Sequence, residues 1–515
     1  MAGLGQEWQW WKTAVFYEIY PKSFSDGNGD GIGDLDGITD RLGYLADLGV
    51  DAIWLAPFYP SPMADGGYDV SDFCDVASDM GTLKAFDGML SRAHSLGIRV
   101  ITDLVANHTS DQHPWFQDSR SSRAARRRDW YIWRDKPNGW RAALTDESAW
   151  TYDKRSGQYY LHLFLAQQPD LNWRNEEVAF AMHSVMRFWL ERGVDGFRVD
   201  AAQCLAKDPE FRDTPELLTV PVAAVNDQPY THEIISGLKK VVQEYGDDRL
   251  LLGEIYVDDA AAVSRYCSPR YREFDLAFNF SLLRSSWSSE EYASVIREVQ
   301  DIFEAAGAWP TWVLSNHDRP RVRTRFSGSP DRARAAFTVL STLRGSPFIY
   351  QGEELGLVDA VVPSELAVDP KGRDGQRAPI PWAGHWPHEW NGILPRLPFP
   401  PESVSLNVES QSMNSESMLS FCRRMLRLRR ASEALQIGCL ELLEGPDEIV
   451  MYSRKSGLSE LITVVNFSDR IIDMTMPGEW QIIVSSSGGG EQSRYQGVVP
   501  PETAFVLELS PRAKA

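Results

Sequence analysis

Cysteine is scarce in this chain of 515 residues. The five present (Cys74, Cys204, Cys267, Cys422 and Cys439) have neither C-x-x-C spacing nor a disulfide framework. That excludes a cysteine-stapled scaffold and points to a reducing, cytoplasmic compartment. Basic charge is also short, with 52 Lys and Arg against 72 Asp and Glu and a net charge of -20. Nucleic acid and anionic membrane are poor partners for such a surface, and a neutral small molecule suits it better. No apolar run reaches the 18 residues or so that a spanning helix needs. Met1 to Trp11 has no basic stretch followed by an apolar core, so no secretory leader is expected. No internal repeat is present.

What the chain does have is enough apolar residue, 43%, for a sizeable core, and too much length for a single one. Two or three domains are expected. The 18 tryptophans exceed the needs of packing, and many fall in loop-like contexts, as platforms for sugar rings would.

Strand and helix alternate from the start. Ala14 to Tyr20 reads as a buried strand halted by Pro21, Leu35 to Leu48 has helical spacing, Ala52 to Ala56 is a second strand, and Leu83 to Leu96 a second helix. Arg99 to Val105 is the third strand. After a pause, helix Val178 to Arg192 leads to a strand ending at Asp200. Further strands are read at Leu250 to Ile255, Glu273 to Phe278, Thr311 to Ser315 and Pro347 to Tyr350. Eight βα units predict a closed (β/α)8 TIM barrel with its chemistry at the C-terminal strand ends.

The barrel is expected over residues 1–106 and 172–434, with a small domain inserted after strand 3 at 107–171. A proline-rich excursion from the last loop runs over about 357–405, and helix Met418 to Leu428 closes the barrel. The basic run Arg123 to Arg128 in the insert reads as a solvated helix face rather than a phosphate site. Residues 435–515 hold short strands and no helical period, which predicts an all-β sandwich.

Polar residues collect at the predicted strand ends: Asp103 with Asn107 and His108, Arg198 with Asp200, Glu254, and Asn316-His317-Asp318. Arg198 and Asp200 share a face, being two apart on a strand, and the guanidinium favours the carboxylate form of the acid. Such an acid can be a nucleophile, a metal ligand or half of an ion pair. Four such tips in one barrel point to chemistry. Paired carboxylates suit glycosidic bond cleavage, with Asp200 ionised to attack and Glu254 as the proton donor, its apolar sequence neighbours raising its pKa. The histidines lack H-x-x-x-H or H-E-x-x-H spacing, so no catalytic metal is expected.

A structural cation is a separate matter. Asp26 to Asp34 (DGNGDGIGD) places oxygen ligands at alternate positions, with Gly31 sixth, as in an EF-hand-like loop. Asp26, Asn28, Asp30, Asp34 and the Ile32 carbonyl could hold one calcium or magnesium ion. The twelfth position is Gly37 instead of glutamate, and glycine-rich turns capped by aspartate have the same appearance.

The strings DLVANH (Asp103 to His108), GFRVD (Gly196 to Asp200), LLGEIY around Glu254 and SNHD (Ser315 to Asp318) together resemble the signature regions of the α-amylase superfamily of glycoside hydrolases. FYEIYPKSF, DGNGDGIGDL, GGYDVSDF, QPDLNW, FIYQGEELG and GRDGQRAPIPW are similar to the α-glucosidase and oligo-1,6-glucosidase branch. The resemblance runs from about Val15 into the C-terminal β domain. It implies a retaining mechanism with Asp200 as nucleophile, Glu254 as acid/base and Asp318 stabilising the transition state. It also implies that Asp65, Tyr68, His108, Arg198 and His317 bind the non-reducing glucose, that Arg377 lines the mouth, and that the Asp26 to Asp34 loop holds its ion.

Within that branch the residue after the nucleophile is commonly valine in α-1,6-cleaving members. Ala201 here favours terminal α-1,4-linked glucose, released from maltose and short α-glucosides. Asp318-Arg319-Pro320-Arg321 and the short Pro57 to Asp65 loop depart from the branch pattern and bear on the balance between water and another acceptor. Alternatives are an oligo-1,6-glucosidase and a transferase or isomerase of the trehalose- or isomaltulose-forming kind. A non-catalytic, transporter-associated relative does not fit a chain that keeps all three acids. Oligomeric state is left open.

Overall fold

The structure is a computed structural model that describes residues 9–213, 225–257, 259–390 and 392–510. The stretch read for a leader lies outside them as far as Trp8. The barrel strands are β1 (Phe16–Ile19), β2 (Ala52–Leu55), β3 (Arg99–Leu104), β4 (Gly196–Val199), β5 (Leu250–Gly253), β6 (Leu276–Ala277), β7 (Thr311–Val313) and β8 (Ser346–Tyr350). A helix follows each in turn: α1 (Leu35–Leu48), α2 (Leu83–Ser95), α3 (Glu176–Arg192), α4 (Pro229–Gln243), α5 (Ala260–Tyr266), α6 (Ser289–Ala305), α7 (Pro330–Thr342) and α8 (Met418–Ala431). All ladders between these strands are parallel, in the order β7-β8-β1-β2-β3-β4-β5-β6.

The strands are short, apolar and buried on both faces because helices cover one side and the barrel interior the other. Outward residues such as Tyr17, Ile53, Val100, Phe197 and Leu251 pack against the helices. Inward ones, among them Phe16, Trp54, Ile101, Leu252 and Phe348, fill the centre. Gly196 belongs to the inward set; a Cβ there would lie 2.1 Å from the Leu250 carbonyl, so only glycine lets β4 approach β5 this closely. Two residues further along their strands, the inward positions are Glu18, Asp103 and Arg198, and this polar layer caps the apolar one.

Between β6 and β7 no backbone ladder runs. The sequence suggests a six-residue strand at Glu273 to Phe278; the strand itself is Leu276–Ala277, flanked by backbone bonds from the Asp275 and Phe278 amides to the Leu251 and Gly253 carbonyls, while the Asp275 carboxylate meets Lys239 at 2.6 Å and the Leu251 amide. The hydroxyl of Thr311 bridges the gap instead. It donates to the Ala277 carbonyl at 2.9 Å and accepts the Asn279 amide at 3.0 Å.

Between β3 and α3 lie the helix Pro114–Ser121 and a three-stranded antiparallel sheet of Trp133–Arg134, Gln158–Leu161 and Trp150–Asp153. The arginine run there is not a helix face. It lies in turns, where Arg123 donates to the Ser156 and Gly157 carbonyls and Arg128 packs 3.5 Å from the Trp133 ring centre. Arg123 and Arg126 remain exposed and Arg127 half-buried, so the run is largely solvated, and only Arg128 is buried. The C-terminal part is a five-stranded antiparallel sheet, in the order Cys439–Leu443, Ile449–Ser456, Ser459–Asn466, Ala504–Leu509, Trp480–Ser485, accompanied by a two-stranded one. Among the described residues, no helix is long and apolar enough to cross a membrane.

Replacing Thr311 by valine removes the hydroxyl that joins β6 to β7 and strands two buried backbone groups. The expected loss is about 1–3 kcal/mol, read as a lower urea midpoint, with Thr311→Ser close to the parent. An unchanged midpoint in the valine variant would refute the bridge.

Candidate active site

Register places Asp103 on β3 directly beside Arg198 on β4. The guanidinium is almost fully buried and serves three carboxylates: Nη1 lies 2.6 Å from Asp103 Oδ1 and 2.8 Å from Asp200 Oδ1, and Nη2 lies 2.6 Å from Glu254 Oε1. Trp54 Nε1 and the Tyr68 hydroxyl donate to the other Asp103 oxygen, at 3.0 and 3.1 Å. The Trp54 ring also lies against the guanidinium, 4.9 Å from its carbon. Burial favours neutral acids here, and it pushes Asp103 upward against Arg198. It pushes Asp200 well above the usual carboxylate range, with Glu254, Asp103 and Asp318 adding to the effect and Arg198 opposing it. Arg198 favours the carboxylate form of Asp200, as expected from the sequence, but burial acts the other way and outweighs it.

Glu254 departs from its expected setting. Its sequence neighbours are apolar, but its carboxyl faces Arg198 and accepts the Ala201 amide at 2.9 Å. A strand end exposes its polar tip to the barrel mouth, whatever its neighbours in sequence. Ala201 makes this possible by taking left-handed backbone, φ 43° and ψ 41°, which turns its N–H toward the acid. A β-branched residue adopts that conformation only under strain.

A second charge system surrounds Asp318. His317 Nδ1 lies 2.5 Å from Glu18 Oε1, and His317 Nε2 lies 3.5 Å from Asp318 Oδ2. Arg373 and Arg377 reach Asp318 Oδ1 at 2.8 and 2.9 Å. Burial acts to raise Asp318, but His317, Arg373 and Arg377 overcome it and hold the carboxyl well below its usual range. Arg373 also pairs with Asp65 at 2.5 Å and with Asp369 at 2.6 Å. Asp65 accepts Gln168 Nε2 at 2.9 Å, and that nitrogen lies 3.0 Å from His108 Nε2. Burial pushes His108 down, toward a neutral ring whose Nε2 lies 3.2 Å from the Tyr68 carbonyl.

Asp200, Glu254, Asp318, Asp65, Tyr68, His108, Arg198, His317 and Arg377 are thus joined in one polar network. Reasoning from sequence missed Arg373, Gln168 and Glu18. Arg373 and Gln168 lie in strings already singled out, GRDGQR and QPDLNW. Glu18 left a plainer signal, a charged residue in the middle of a buried strand. A cavity of about 370 Å3 lies behind Arg377 and Asp369, lined also by Tyr20, Lys22, Ile32 and Arg396. Asp200, Glu254 and Asp318 are not among its walls.

The Asp26 to Asp34 loop is a series of Asx turns. Asp26 accepts the Gly29 and Gly31 amides at 2.6 and 2.8 Å, Asn28 that of Asp30 at 2.8 Å, and Asp30 that of Ile32 at 2.9 Å. Asp34 caps α1 by accepting the Gly37 amide at 2.6 Å. The side-chain and carbonyl oxygens of the loop are hard ligands of the kind a calcium or magnesium ion requires. Among the described residues, no three acidic, histidine or cysteine side chains converge as a ligand group. A cation here would therefore draw on Asn28 and the Ile32 carbonyl as well as the aspartates.

Residues 18–438 match the family pattern described as alpha amylase, catalytic domain. An oligo-1,6-glucosidase of Parageobacillus thermoglucosidasius is 35% identical over 91% of this chain and 92% of its own. A probable alpha-glucosidase of Rhizobium meliloti (strain 1021) is 39% identical over 91% of each chain. The crystal structure of an alpha-glucosyl transfer enzyme superposes with a TM-score of 0.91 at 35% identity, covering 98% of this chain and 100% of that one.

Arg198→Met leaves three buried carboxyls without their shared cation. The expected loss at neutral pH is about 3–5 kcal/mol. Asp103 and Asp200 titrate above their unfolded values in the fold, so their protonated forms stabilise it at low pH and that support fades as pH rises. The deficit of the variant should therefore be larger at pH 8 than at pH 4.5 in urea denaturation. Equal deficits would show that the loss comes from packing.

Proposed function

Since this chain belongs to the alpha-amylase family of glycoside hydrolases, we propose that it is a retaining, exo-acting α-glucosidase. It releases terminal α-1,4-linked glucose from maltose, short malto-oligosaccharides and other small neutral α-glucosides, and transfers some of that glucose to other acceptors. One observation carries the reading: Asp200 and Glu254 bind adjacent nitrogens of the same planar guanidinium. That supports the short separation, about 5–5.5 Å, that a covalent intermediate needs.

In the first step an Asp200 oxygen bonds to the anomeric carbon as the glycosidic bond breaks, and the Glu254 proton goes to the departing oxygen. In the second, Glu254 takes a proton from water, the water oxygen bonds to the anomeric carbon, and the bond to Asp200 breaks. The two acids must share one proton at the outset, which the upward displacement of Asp200 supports. As the glycosidic oxygen enters, that proton belongs on Glu254, leaving Arg198 to Asp200 and Asp103. Asp318, held ionised, faces the positive charge that develops on the sugar.

The exo character rests on Asp65 and Arg373. Their ion pair, backed by Asp369 and Gln168, walls the end of the site, so that a terminal glucose enters and a continuing chain does not. The α-1,4 preference rests on Ala201. The oligo-1,6-glucosidase relative favours α-1,6 cleavage as the second reading, and the glucosyl transfer enzyme supports transfer. One calcium or magnesium ion at Asp26, Asn28, Asp30, Ile32 and Asp34 belongs to the proposal as a support for the loop before α1. So does a cytoplasmic setting, supported by five cysteines that are all unpaired.

Maltose and isomaltose at equal concentration test the assignment. Glucose should appear from maltose, with Asp200→Asn reduced by a factor on the order of 10⁴ or more. Preference for isomaltose would overturn the linkage, and maltose consumed without matching glucose would make transfer the main activity. Calcium or magnesium should raise the thermal midpoint of chelator-treated protein by a few degrees; no shift would remove the ion from the proposal.

A further inference from the structure

Glu18 is buried in the first strand, in a layer where its neighbours on either side are the barrel's inward residues, and nothing in the proposed reaction uses it. Its Oε1 lies 2.5 Å from His317 Nδ1 and 3.3 Å from the His317 amide. The carboxylate thus holds both the ring and the backbone of the residue before Asp318. The ring stacks on Tyr20 and Tyr68, with interplanar angles of 17° and 11°, and meets the edge of Trp54. Held on three sides, it cannot swing. Its remaining nitrogen, Nε2, is buried without a hydrogen-bond partner and lies 3.5 Å from Asp318 Oδ2. A buried donor left open in this way is a group waiting for a ligand oxygen.

We propose that Glu18 is a positioning residue that keeps His317 as an imidazolium, so that Nε2–H is always available to a sugar hydroxyl beside Asp318. The inference rests on the glycosidase reading of the site.

The charged groups around the ring are of both signs. Glu18 comes from β1, Asp103 from β3, Arg198 from β4, Asp318 from the ring's own loop, and Arg377, which donates to the His317 carbonyl at 2.9 Å, from the excursion after β8. Tyr20 and Tyr68 are the titratable groups stacked on it, and their electron-rich faces favour a cation. Burial and the nearby Arg377 work against a charged ring, but Asp318 and Glu18 outweigh them and carry the imidazole above its ordinary value. Burial also lifts Glu18, against the pull of His317 and Arg198. What favours the charged ring is that two carboxylates, Glu18 and Asp318, face its two nitrogens. Glutamine at position 18 would still accept the Nδ1 proton but would remove one of the two negative charges. The ring would stay in place and lose its proton at a lower pH.

The sign of the test follows. An imidazolium is present below the raised pKa and lost above it, so Glu18→Gln should move the alkaline limb of kcat/KM on maltose down by about one pH unit, a tenfold change in the acid constant. The loss in the variant should shrink as pH falls and the imidazole of the variant regains its proton. A profile of unchanged shape, or a loss equal at every pH, would overturn the proposal. The second measurement is free of turnover: the His317 ring, assigned by its absence in His317→Gln, is titrated by nitrogen-15 NMR in parent and variant. A ring protonated at pH 7 in the parent supports the proposal, and a neutral one sinks it even where Glu18→Gln fails to fold. Absence of activity in the parent enzyme on any α-glucoside would sink the glycosidase reading and leave the NMR result standing.

Discussion

A single guanidinium sets the terms for the rest of the molecule. Arg198 is almost fully buried and binds three acids that would otherwise repel one another. A buried charge survives only when it is paired and hydrogen-bonded, and a buried cluster with one cation among three acids must shed charge by holding protons. The positions of β3, β4 and the Glu254 loop are therefore linked: a shift in any of them would leave an acid without its partner. The left-handed turn at Ala201 and the glycine at 196 are local costs of bringing these strand ends together.

The other side of the site has the opposite balance. Around Asp318 stand Arg373, Arg377 and His317, more cations than that carboxylate alone requires, and they hold it ionised. Asp65, Asp369 and Glu18 complete the balance from outside. One half of the site thus favours a neutral acid and the other a fixed anion. That division is what general acid chemistry beside a charge-stabilising carboxylate needs.

The barrel strands were legible because strands covered on both faces read as short apolar runs, and the helices α1 to α3 because they keep their spacing of buried residues. Two parts were read wrongly or less well. Asp275 belongs to an apolar-looking run but is a buried carboxylate held by Lys239 and the Leu251 amide, and β6 is shorter than its sequence suggests. The arginine run at 123–128 is largely solvated, as its charge suggests, but it forms turns instead of a helix and buries Arg128. Asp200, Glu254 and Asp318 stood out at strand ends. Arg373 did not, since its partners Asp65 and Asp318 are distant in the chain and no periodicity connects them.

The sequence by itself determined which strands and helices form, that eight βα units would close on one another, and which residue types would gather at the C-terminal ends of the strands. Side-chain period and apolar content carry that information, and both are local. Only the tertiary structure decided which acid sits against which cation, that Glu254 faces Arg198 instead of an apolar wall, that Asp200 is pushed up and Asp318 down, and that Glu18 reaches His317. Those outcomes depend on burial and on distances between residues hundreds of positions apart. A charge responds to the space around it, and that space exists only once the barrel has closed.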